Sequence, residues 1–152
     1  MQYDCPTQCV ILVGGLGTRL GTAVRDVPKP MLNIGGKPFL VHLMREIGRY
    51  GFFNFLLLAG YHSEVIREYF SEMNSVLPID TNVTIITEQE QLGTGGALRN
   101  AFPFLDKTFL LCNGDSLCLF DLNDLTDISL DKETMACMQV ARCDGNRIEN
   151  NT

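Results

Sequence analysis

The sequence lacks the features that mark membrane proteins, secreted proteins and general nucleic-acid binders. No apolar run approaches the roughly 18 residues of a membrane span. The first residues, Met-Gln-Tyr-Asp-Cys, do not start a basic segment followed by an apolar one, so no signal peptide is expected. Aspartate and glutamate outnumber lysine and arginine by 18 to 12, and the net charge of -6 disfavours nucleic acid as a partner. Any anionic substrate must therefore be held by a few local cations.

Cysteine pairs with Cys-x-x-Cys spacing are also absent. Both histidines, His42 and His62, lie far in sequence from the six cysteines, which are Cys5, Cys9, Cys112, Cys118, Cys137 and Cys143. Three of these, Cys9, Cys112 and Cys137, fall in predicted strands, where a thiol packs as a small apolar group. Disulfides or a metal site are the alternatives, but the spacing favours reduced structural cysteines, which fits a cytoplasmic protein.

A glycine-rich turn directly after an apolar run is the most informative feature that is present. Residues 10–13 are Val-Ile-Leu-Val, and they lead into the candidate nucleotide-binding residues Gly14, Gly15, Gly17, Thr18 and Arg19. Glycines let the backbone approach phosphate closely with its N–H groups pointing inward, and arginine neutralises phosphate oxygens. No Gly-Lys-Ser/Thr closes a Walker A motif, and Leu20 replaces the third glycine of Gly-x-Gly-x-x-Gly.

A lysine between two prolines, Pro28-Lys29-Pro30, follows ten residues after Arg19. The glycine turn by itself is also compatible with a purely structural role. Combined with the Thr-Arg pair and with Lys29, it favours phosphate binding. Arg25 and Lys37 are interpreted as surface charges outside the site.

Apolar runs alternate along the chain with amphipathic helical patterns. The predicted strands are residues 8–13, 54–59, 83–87, 108–112 and 135–140, and the predicted helices are residues 38–50, 63–70 and 94–102. Several strands are continuously apolar, which is typical of strands buried on both faces. This order predicts one α/β domain over residues 1–152, with a Rossmann-like, doubly wound, mostly parallel sheet.

That architecture predicts where ligands bind. They bind beyond the carboxyl ends of the strands where the strand order reverses, between the first and fourth strands. The glycine turn leaves the first strand, and Asn113-Gly114-Asp115 leaves the fourth. Because Mg²⁺ usually binds one or two carboxylates plus substrate phosphates, Asp115 is the candidate metal ligand. The alternative is that Asn-Gly-Asp forms only a turn.

Several blocks together resemble the sugar-phosphate nucleotidyltransferases, in family order over roughly residues 8 to 120. They are Gly14-Gly-Leu-Gly-Thr-Arg-Leu, Pro28-Lys-Pro-Met-Leu, Gly35-Gly-Lys-Pro-Phe-Leu, Leu92-Gly-Thr-Gly-Gly-Ala-Leu and Asn113-Gly-Asp. Within the family the chain most resembles the D-glycero-α-D-manno-heptose 1-phosphate guanylyltransferases, followed by the mannose-1-phosphate guanylyltransferases. The resemblance implies the nucleotide-diphospho-sugar transferase type of fold.

The resemblance also implies a reaction. A sugar 1-phosphate attacks the α-phosphorus of GTP, or of another nucleoside triphosphate, and pyrophosphate leaves with a nucleotide-sugar as product. Arg19 would hold the β- and γ-phosphates, Lys29 would contact the phosphates around the reacting centre, and Asp115 would bind Mg²⁺. The glycines that would lie at the nucleotide are Gly14, Gly15, Gly17 and Gly114.

The resemblance places base recognition at Glu88 and Gly93, after the third strand. A carboxylate at Glu88 could accept hydrogen bonds from the N1–H and N2–H₂ edge of guanine. The alternative is a solvated strand end. His62, just before Ser63, is interpreted as a loop or cap residue rather than a catalyst.

Beyond the fifth strand the resemblance fades. Family members continue with a sugar-binding region and a second metal-binding aspartate, whereas no aspartate follows Asp144 here. Three interpretations stay open: a C-terminally truncated enzyme, an assembly in which another subunit supplies the missing half, and a non-catalytic nucleotide or nucleotide-sugar binding module. Apolar surface left uncovered by the absent half would favour a homo-oligomer.

Overall fold

The computed structural model describes residues 6–15, 27–60, 62–72, 77–78, 80–88, 90, 92–117, 121–129 and 134–140. Six strands are described: β1 (Gln8–Leu12), β2 (Asn33–Ile34), β3 (Lys37–Pro38), β4 (Asn54–Ala59), β5 (Asn82–Thr87) and β6 (Leu110–Asn113). The described α-helices are α1 (Phe39–Gly48), α2 (Ser63–Glu72), α3 (Gly93–Asn100) and α4 (Leu122–Ser129). Short 3₁₀ turns cover Lys29–Met31 and Phe102–Phe104.

The main sheet has four strands in the order β5-β4-β1-β6. All its pairings are parallel, and Leu12 of β1 is in register with Leu58 of β4 and with Asn113 of β6. The strand order therefore reverses at β1, as the Rossmann-like prediction required. The first and fourth predicted strands are neighbours, which confirms the predicted fold class.

Helices cover both faces of this sheet. On one face, α1 buries Leu40, Leu43, Met44 and Ile47 in a core that also contains Ile66 of α2. On the other face, Ala97 of α3 and Ala101 just after it pack against Val10, Leu56 and Leu58. Because β1 and β4 are covered on both sides, their residues are almost wholly buried, which is why both runs are continuously apolar.

The predicted helix bounds shift by a few residues. Helix α2 continues to Glu72, and α3 begins at Gly93 and ends at Asn100. The 3₁₀ turn that contains Pro103 replaces the predicted last turn of α3, because proline cannot donate the helical hydrogen bond. No helix in the described parts of the chain combines the length and apolarity that a membrane crossing needs.

The prediction of a fifth strand over residues 135–140 is wrong. The structure describes residues 134–140 without strand pairing, and Met135, Met138 and Val140 are 100%, 82% and 73% exposed. An apolar run forms a buried strand only where a neighbouring strand satisfies its backbone groups, and no described strand lies beside this segment. Its Cys137 is half-buried rather than packed in a sheet.

Two of the cysteines do pack in the sheet. Cys9 of β1 is fully buried and Cys112 of β6 is half-buried, with their Sγ atoms 3.9 Å apart. The hydrogen bond with Cys112, followed by burial, raises the pKa of the Cys9 thiol well above its usual range. Cys9 therefore behaves as an unreactive apolar side chain. Cys5, Cys118 and Cys143 lie outside the described residues.

Candidate functional site

A cleft of about 250 Å³ lies at the carboxyl ends of β1, β4, β5 and β6. Apolar side chains contribute to its lining, among them Leu12, Leu58 and Ala97, which lie on the α3 face of the sheet. Polar and charged side chains are also present, namely Lys29, Glu88, Thr94, Asn113 and Asp115. An apolar cleft with a few convergent polar groups at the switch point of a parallel sheet is the usual form of a ligand site in this architecture.

Glycines form the wall of the cleft that follows β1. The Val13 amide donates to the Leu58 carbonyl at 2.9 Å, so pairing with β4 continues up to the glycine turn. A Cβ on Gly60 would lie 3.0 Å from the carbonyl oxygen of Gly14, and a Cβ on Gly14 would lie 3.0 Å from the amide nitrogen of Gly60. The ends of two strands thus meet through a glycine–glycine contact. Gly14 and Gly15 also line the cleft.

A second glycine contact positions Asp115. The Gly114 amide donates to the Leu12 carbonyl at 2.9 Å, which draws the turn after β6 against the end of β1. A Cβ on Gly114 would lie only 2.5 Å from Cγ1 of Val13. Gly114 is accordingly buried, and the next residue, Asp115, carries its carboxylate to the lining of the cleft.

Lys29 reaches the same cleft from a short rigid turn. Pro28 and Pro30 on either side of it are buried, and the Met31 amide donates to the Pro28 carbonyl at 2.8 Å. The Lys29 Nζ lies 4.0 Å from Oδ2 of Asp115. The two side chains are 23% and 47% exposed, so the pair is partly shielded from water.

The segment between β5 and α3 supplies the remaining predicted residues. The Glu88 amide donates to the Ala59 carbonyl at 2.8 Å, which fixes the half-buried Glu88 at the mouth of β5. Its Oε2 accepts a long hydrogen bond, 3.5 Å, from the Leu92 amide. Gly93 adopts a φ of +66°, a left-handed conformation that favours glycine, and begins α3 at the edge of the cleft.

The cleft thus brings together most of the described residues that the sequence singled out. Six of them line it: Gly14, Gly15, Lys29, Glu88, Gly93 and Asp115. Gly114 does not line the cleft; it precedes Asp115 in the chain and packs against Val13. The predictions for Gly17, Thr18 and Arg19 lie outside the described residues, as does Arg25.

Sequence reasoning missed Thr94 and Asn113, which line the cleft, and Gly60, which packs against Gly14. For Gly60 a signal exists in the sequence: it directly follows the buried run Asn54–Ala59, as Gly14 follows the run of β1. For Asn113 the signal is its position as the last residue of β6, one strand away from Gly14.

His62 and Lys37 are not among the residues that line the cleft. His62 has a φ of 57° in the turn before α2, and its Nδ1 lies 2.9 Å from Oε1 of Glu64. This hydrogen bond is the main cause of a lowered pKa of the Glu64 carboxyl. Lys37 lies on β3. These positions agree with the interpretation of His62 as a loop residue and of Lys37 as a charge outside the site.

The donor set of the cleft fits a metal that is bound jointly with a substrate. Within the described ranges, no three histidine, cysteine, aspartate or glutamate side chains cluster as a metal cage. Mg²⁺ in phosphate-transfer sites is commonly held by only one or two carboxylates, with phosphate oxygens and water completing its shell. The half-exposed carboxylate of Asp115 is a ligand of the kind that this mode of binding uses.

The sheet order, the helices on both faces and the cleft at the switch point define an α/β protein of the Rossmann-like class. The chain belongs to the nucleotidyl transferase family, because the model of that family matches residues 8–146. The family assignment made from the sequence blocks is thereby confirmed.

Two curated relatives show which members of the family this chain is similar to. The D-glycero-alpha-D-manno-heptose 1-phosphate guanylyltransferase of Campylobacter jejuni is 40% identical over 118 residues, which are 78% of this chain and 52% of that protein. A probable glucose-1-phosphate cytidylyltransferase of Bacillus subtilis is 35% identical over 133 residues, covering 76% of this chain and 52% of that protein. The chain spans about half the length of these curated relatives.

A solved structure shares the fold at similar identity. The crystal structure of HddC from Yersinia pseudotuberculosis, complexed with GMP-PN, superposes with a TM-score of 0.72 and 40% identity. The match covers 82% of this chain and 55% of that one.

Proposed function

We propose that this chain carries the nucleotide-binding part of a sugar-1-phosphate nucleotidyltransferase, which transfers GMP from GTP to a heptose- or mannose-type sugar 1-phosphate. The observation that carries the proposal is the convergence of Lys29 and Asp115, 4.0 Å apart, in a cleft walled by Gly14 and Gly15. A lysine, a carboxylate and exposed glycine backbone together match the needs of a metal-bound polyphosphate. The names of the relatives supply the sugar-phosphate and nucleotide classes.

In the proposed reaction, an oxygen of the sugar 1-phosphate attacks the α-phosphorus of the nucleotide in line with the departing pyrophosphate. No protein nucleophile is needed, because positioning and neutralisation of charge lower the barrier. The Lys29 ammonium would neutralise phosphate oxygens near the reacting centre. Backbone N–H groups of the glycine turn would orient the triphosphate, and Arg19 would hold its β- and γ-phosphates.

Asp115 would hold the Mg²⁺ together with phosphate oxygens of the nucleotide. Bound there, the metal supplies charge neutralisation for the triphosphate and the departing pyrophosphate. The role of the protein is to present one carboxylate at a fixed place, which the hydrogen bond from the Gly114 amide to the Leu12 carbonyl achieves.

For the base, we propose that Glu88 reads guanine. Its carboxylate is half-buried at the mouth of β5 and, among the residues that the structure describes, accepts one long hydrogen bond, 3.5 Å, from the Leu92 amide. A carboxylate placed in this way can accept from the N1–H and N2–H₂ donors of guanine. Cytosine presents an N4–H₂ donor beside an acceptor nitrogen, so the same pair of contacts is not available to it.

The proposal is tested by measuring nucleotide binding and pyrophosphate release separately. GTP, CTP, UTP and ATP are compared, each with mannose 1-phosphate and with heptose 1-phosphate, in the presence of Mg²⁺. We expect GTP to bind best and to release pyrophosphate only with a sugar 1-phosphate present. Failure of every nucleotide to bind at millimolar concentration would contradict the proposal.

A second candidate is a nucleotide or nucleotide-sugar binding module without turnover. The chain spans about half the length of the curated relatives named above, and the experiment just described separates the two candidates. GTP binding without pyrophosphate release under any of these conditions would support it. A cytoplasmic location and self-association stay predictions from the sequence.

A further inference from the structure

Lys29 and Asp115 act as counter-ions to each other inside the cleft. Oδ1 of Asp115 accepts a hydrogen bond from the Ser116 hydroxyl at 3.1 Å, while Oδ2 lies 4.0 Å from Nζ of Lys29. Both carboxylate oxygens are therefore engaged, and the oxygen without a hydroxyl donor is the one that faces the ammonium group.

Hydrogen bonds and packing hold the backbones of both residues at the cleft. Lys29 begins a turn that is closed by the hydrogen bond from the Met31 amide to the Pro28 carbonyl, and Asp115 follows the tightly packed Gly114. Neither backbone can retreat without breaking these contacts. The long lysine side chain is the adjustable part, because it has four rotatable bonds whereas the aspartate has two.

The balance of charges in the cleft gives the contact between Lys29 and Asp115 an effect on metal binding. Among the described residues that line the cleft, Lys29 is the single cation, against the carboxylates of Glu88 and Asp115. A divalent cation that approaches Asp115 must overcome repulsion from an ammonium group already beside Oδ2. The ammonium leaves that oxygen more readily when another anion receives it, and a triphosphate is such an anion.

We propose that Lys29 couples metal binding to nucleotide binding: it competes with a divalent cation for Asp115 until a nucleoside triphosphate draws its ammonium away. The inference rests on the proposed function, since it assumes that Asp115 is the metal ligand. It makes the metal and the nucleotide mutually dependent ligands, because coupling between two binding equilibria is reciprocal. Free metal then binds poorly, and the metal enters the site with the nucleotide.

The test measures binding of Mn²⁺, a paramagnetic substitute for Mg²⁺, by electron paramagnetic resonance with and without a non-hydrolysable GTP analogue. Lys29→Met keeps an unbranched side chain, one atom shorter, and removes the charge. It should raise the affinity for Mn²⁺ without nucleotide by about fivefold, the upper range for a partly exposed charge contact. Lys29→Arg retains a cation and should leave that affinity low.

Two controls separate this effect from others. Lys107→Gln removes the same charge at an exposed position before β6, at the opposite end of the strand from Asp115, and should change nothing. Asp115→Asn should abolish Mn²⁺ binding both with and without the analogue. Circular dichroism shows whether each variant is folded.

The outcomes distinguish the inference from the function on which it rests. If Lys29→Met leaves nucleotide-free Mn²⁺ affinity unchanged while the wild type binds Mn²⁺ with the analogue, the coupling is overturned and the proposed function stands. If Lys29→Met does not fold, Lys29→Ala takes its place with the same expectation. If the wild type binds no Mn²⁺ even with the analogue present, the metal role of Asp115 itself is wrong. Stronger nucleotide-free binding in Lys29→Met alone supports the coupling.

Discussion

The two ends of the parallel strands use polar groups in opposite ways. At the amino ends, amide side chains form hydrogen bonds to other groups of the protein. Gln8 donates to the Phe104 carbonyl at 2.8 Å and accepts from the Asp106 amide at 2.9 Å. In a separate hydrogen bond, the Asn54 side chain accepts from the Asn82 side chain at 3.1 Å.

At the carboxyl ends, glycines take the place of those amides. Gly14, Gly60 and Gly114 let the strand ends approach each other closely without side chains of their own. The charged groups beside them, Lys29 and Asp115, are directed to a cleft rather than into the core. The amino ends thus pair their amide side chains within the protein, while the carboxyl ends present charged side chains to a cleft.

The largest expected effect is at Asp115. Asp115→Asn should remove the gain in GTP affinity that Mg²⁺ provides and lower any turnover by about a hundredfold or more, because a metal anchor is lost. Calorimetric GTP titrations with and without Mg²⁺ check this. The matched change at the amino ends, Asp106→Asn, should leave both quantities unchanged. Equal effects of the two variants would mean that Asp115 is only a turn residue.

The next largest effect concerns the packing that places Asp115. Gly114→Ala puts a Cβ 2.5 Å from Cγ1 of Val13 and 3.0 Å from the Leu12 carbonyl oxygen, so either the turn or the strand must shift. Overpacking of this kind costs about 1–3 kcal/mol of unfolding free energy. Urea denaturation measures the loss, and Mg²⁺-dependent GTP binding should fall with it.

Gly48→Ala is the control for that substitution. It lies at the end of α1, where an added Cβ meets nothing within 4 Å. Alanine there should be neutral or slightly stabilising, since glycine is the poorer helix former. A stable Gly114→Ala variant with normal GTP binding would show that the close contact is not needed.

At the amino ends, Gln8→Met should affect stability alone. The side chain is 8% exposed, and its loss leaves the Phe104 carbonyl and the Asp106 amide without their partner. We expect a loss of about 1–2 kcal/mol in unfolding free energy, the usual cost of leaving partly buried polar groups unpaired. GTP affinity should not change at temperatures where the variant is folded. A selective loss of GTP affinity in Gln8→Met would show that the amino ends of the strands also contribute to ligand binding.

Much of this arrangement could be predicted from the sequence. Continuous apolar runs identified β1 and β4, and the rules of parallel topology placed Asp115 across from the glycine turn. The contact of Gly60 with Gly14 could not be predicted, because it depends on how closely two strand ends approach in three dimensions. Residues 134–140 show the converse, since an apolar pattern fits a strand but cannot supply the neighbouring strand that pairing requires.

The smallest expected effect is at Glu88. Glu88→Gln replaces a charged acceptor by an amide and should reduce the preference for GTP over CTP by about threefold to tenfold, the difference between charged and neutral hydrogen bonds. Competition binding with both nucleotides measures the ratio. Glu90→Gln, an exposed neighbour, is the control. An unchanged ratio in Glu88→Gln would mean that Glu88 does not contact the base and is only a solvated residue at the end of a strand.

We propose that the carboxyl ends of these strands bind a nucleoside triphosphate with Mg²⁺. Isothermal titration of the wild-type chain with GTP, with and without Mg²⁺, tests it most directly. We expect saturable binding that Mg²⁺ strengthens in the wild type and does not strengthen in Asp115→Asn. Absence of binding at millimolar GTP, or the same Mg²⁺ effect in both proteins, would contradict it.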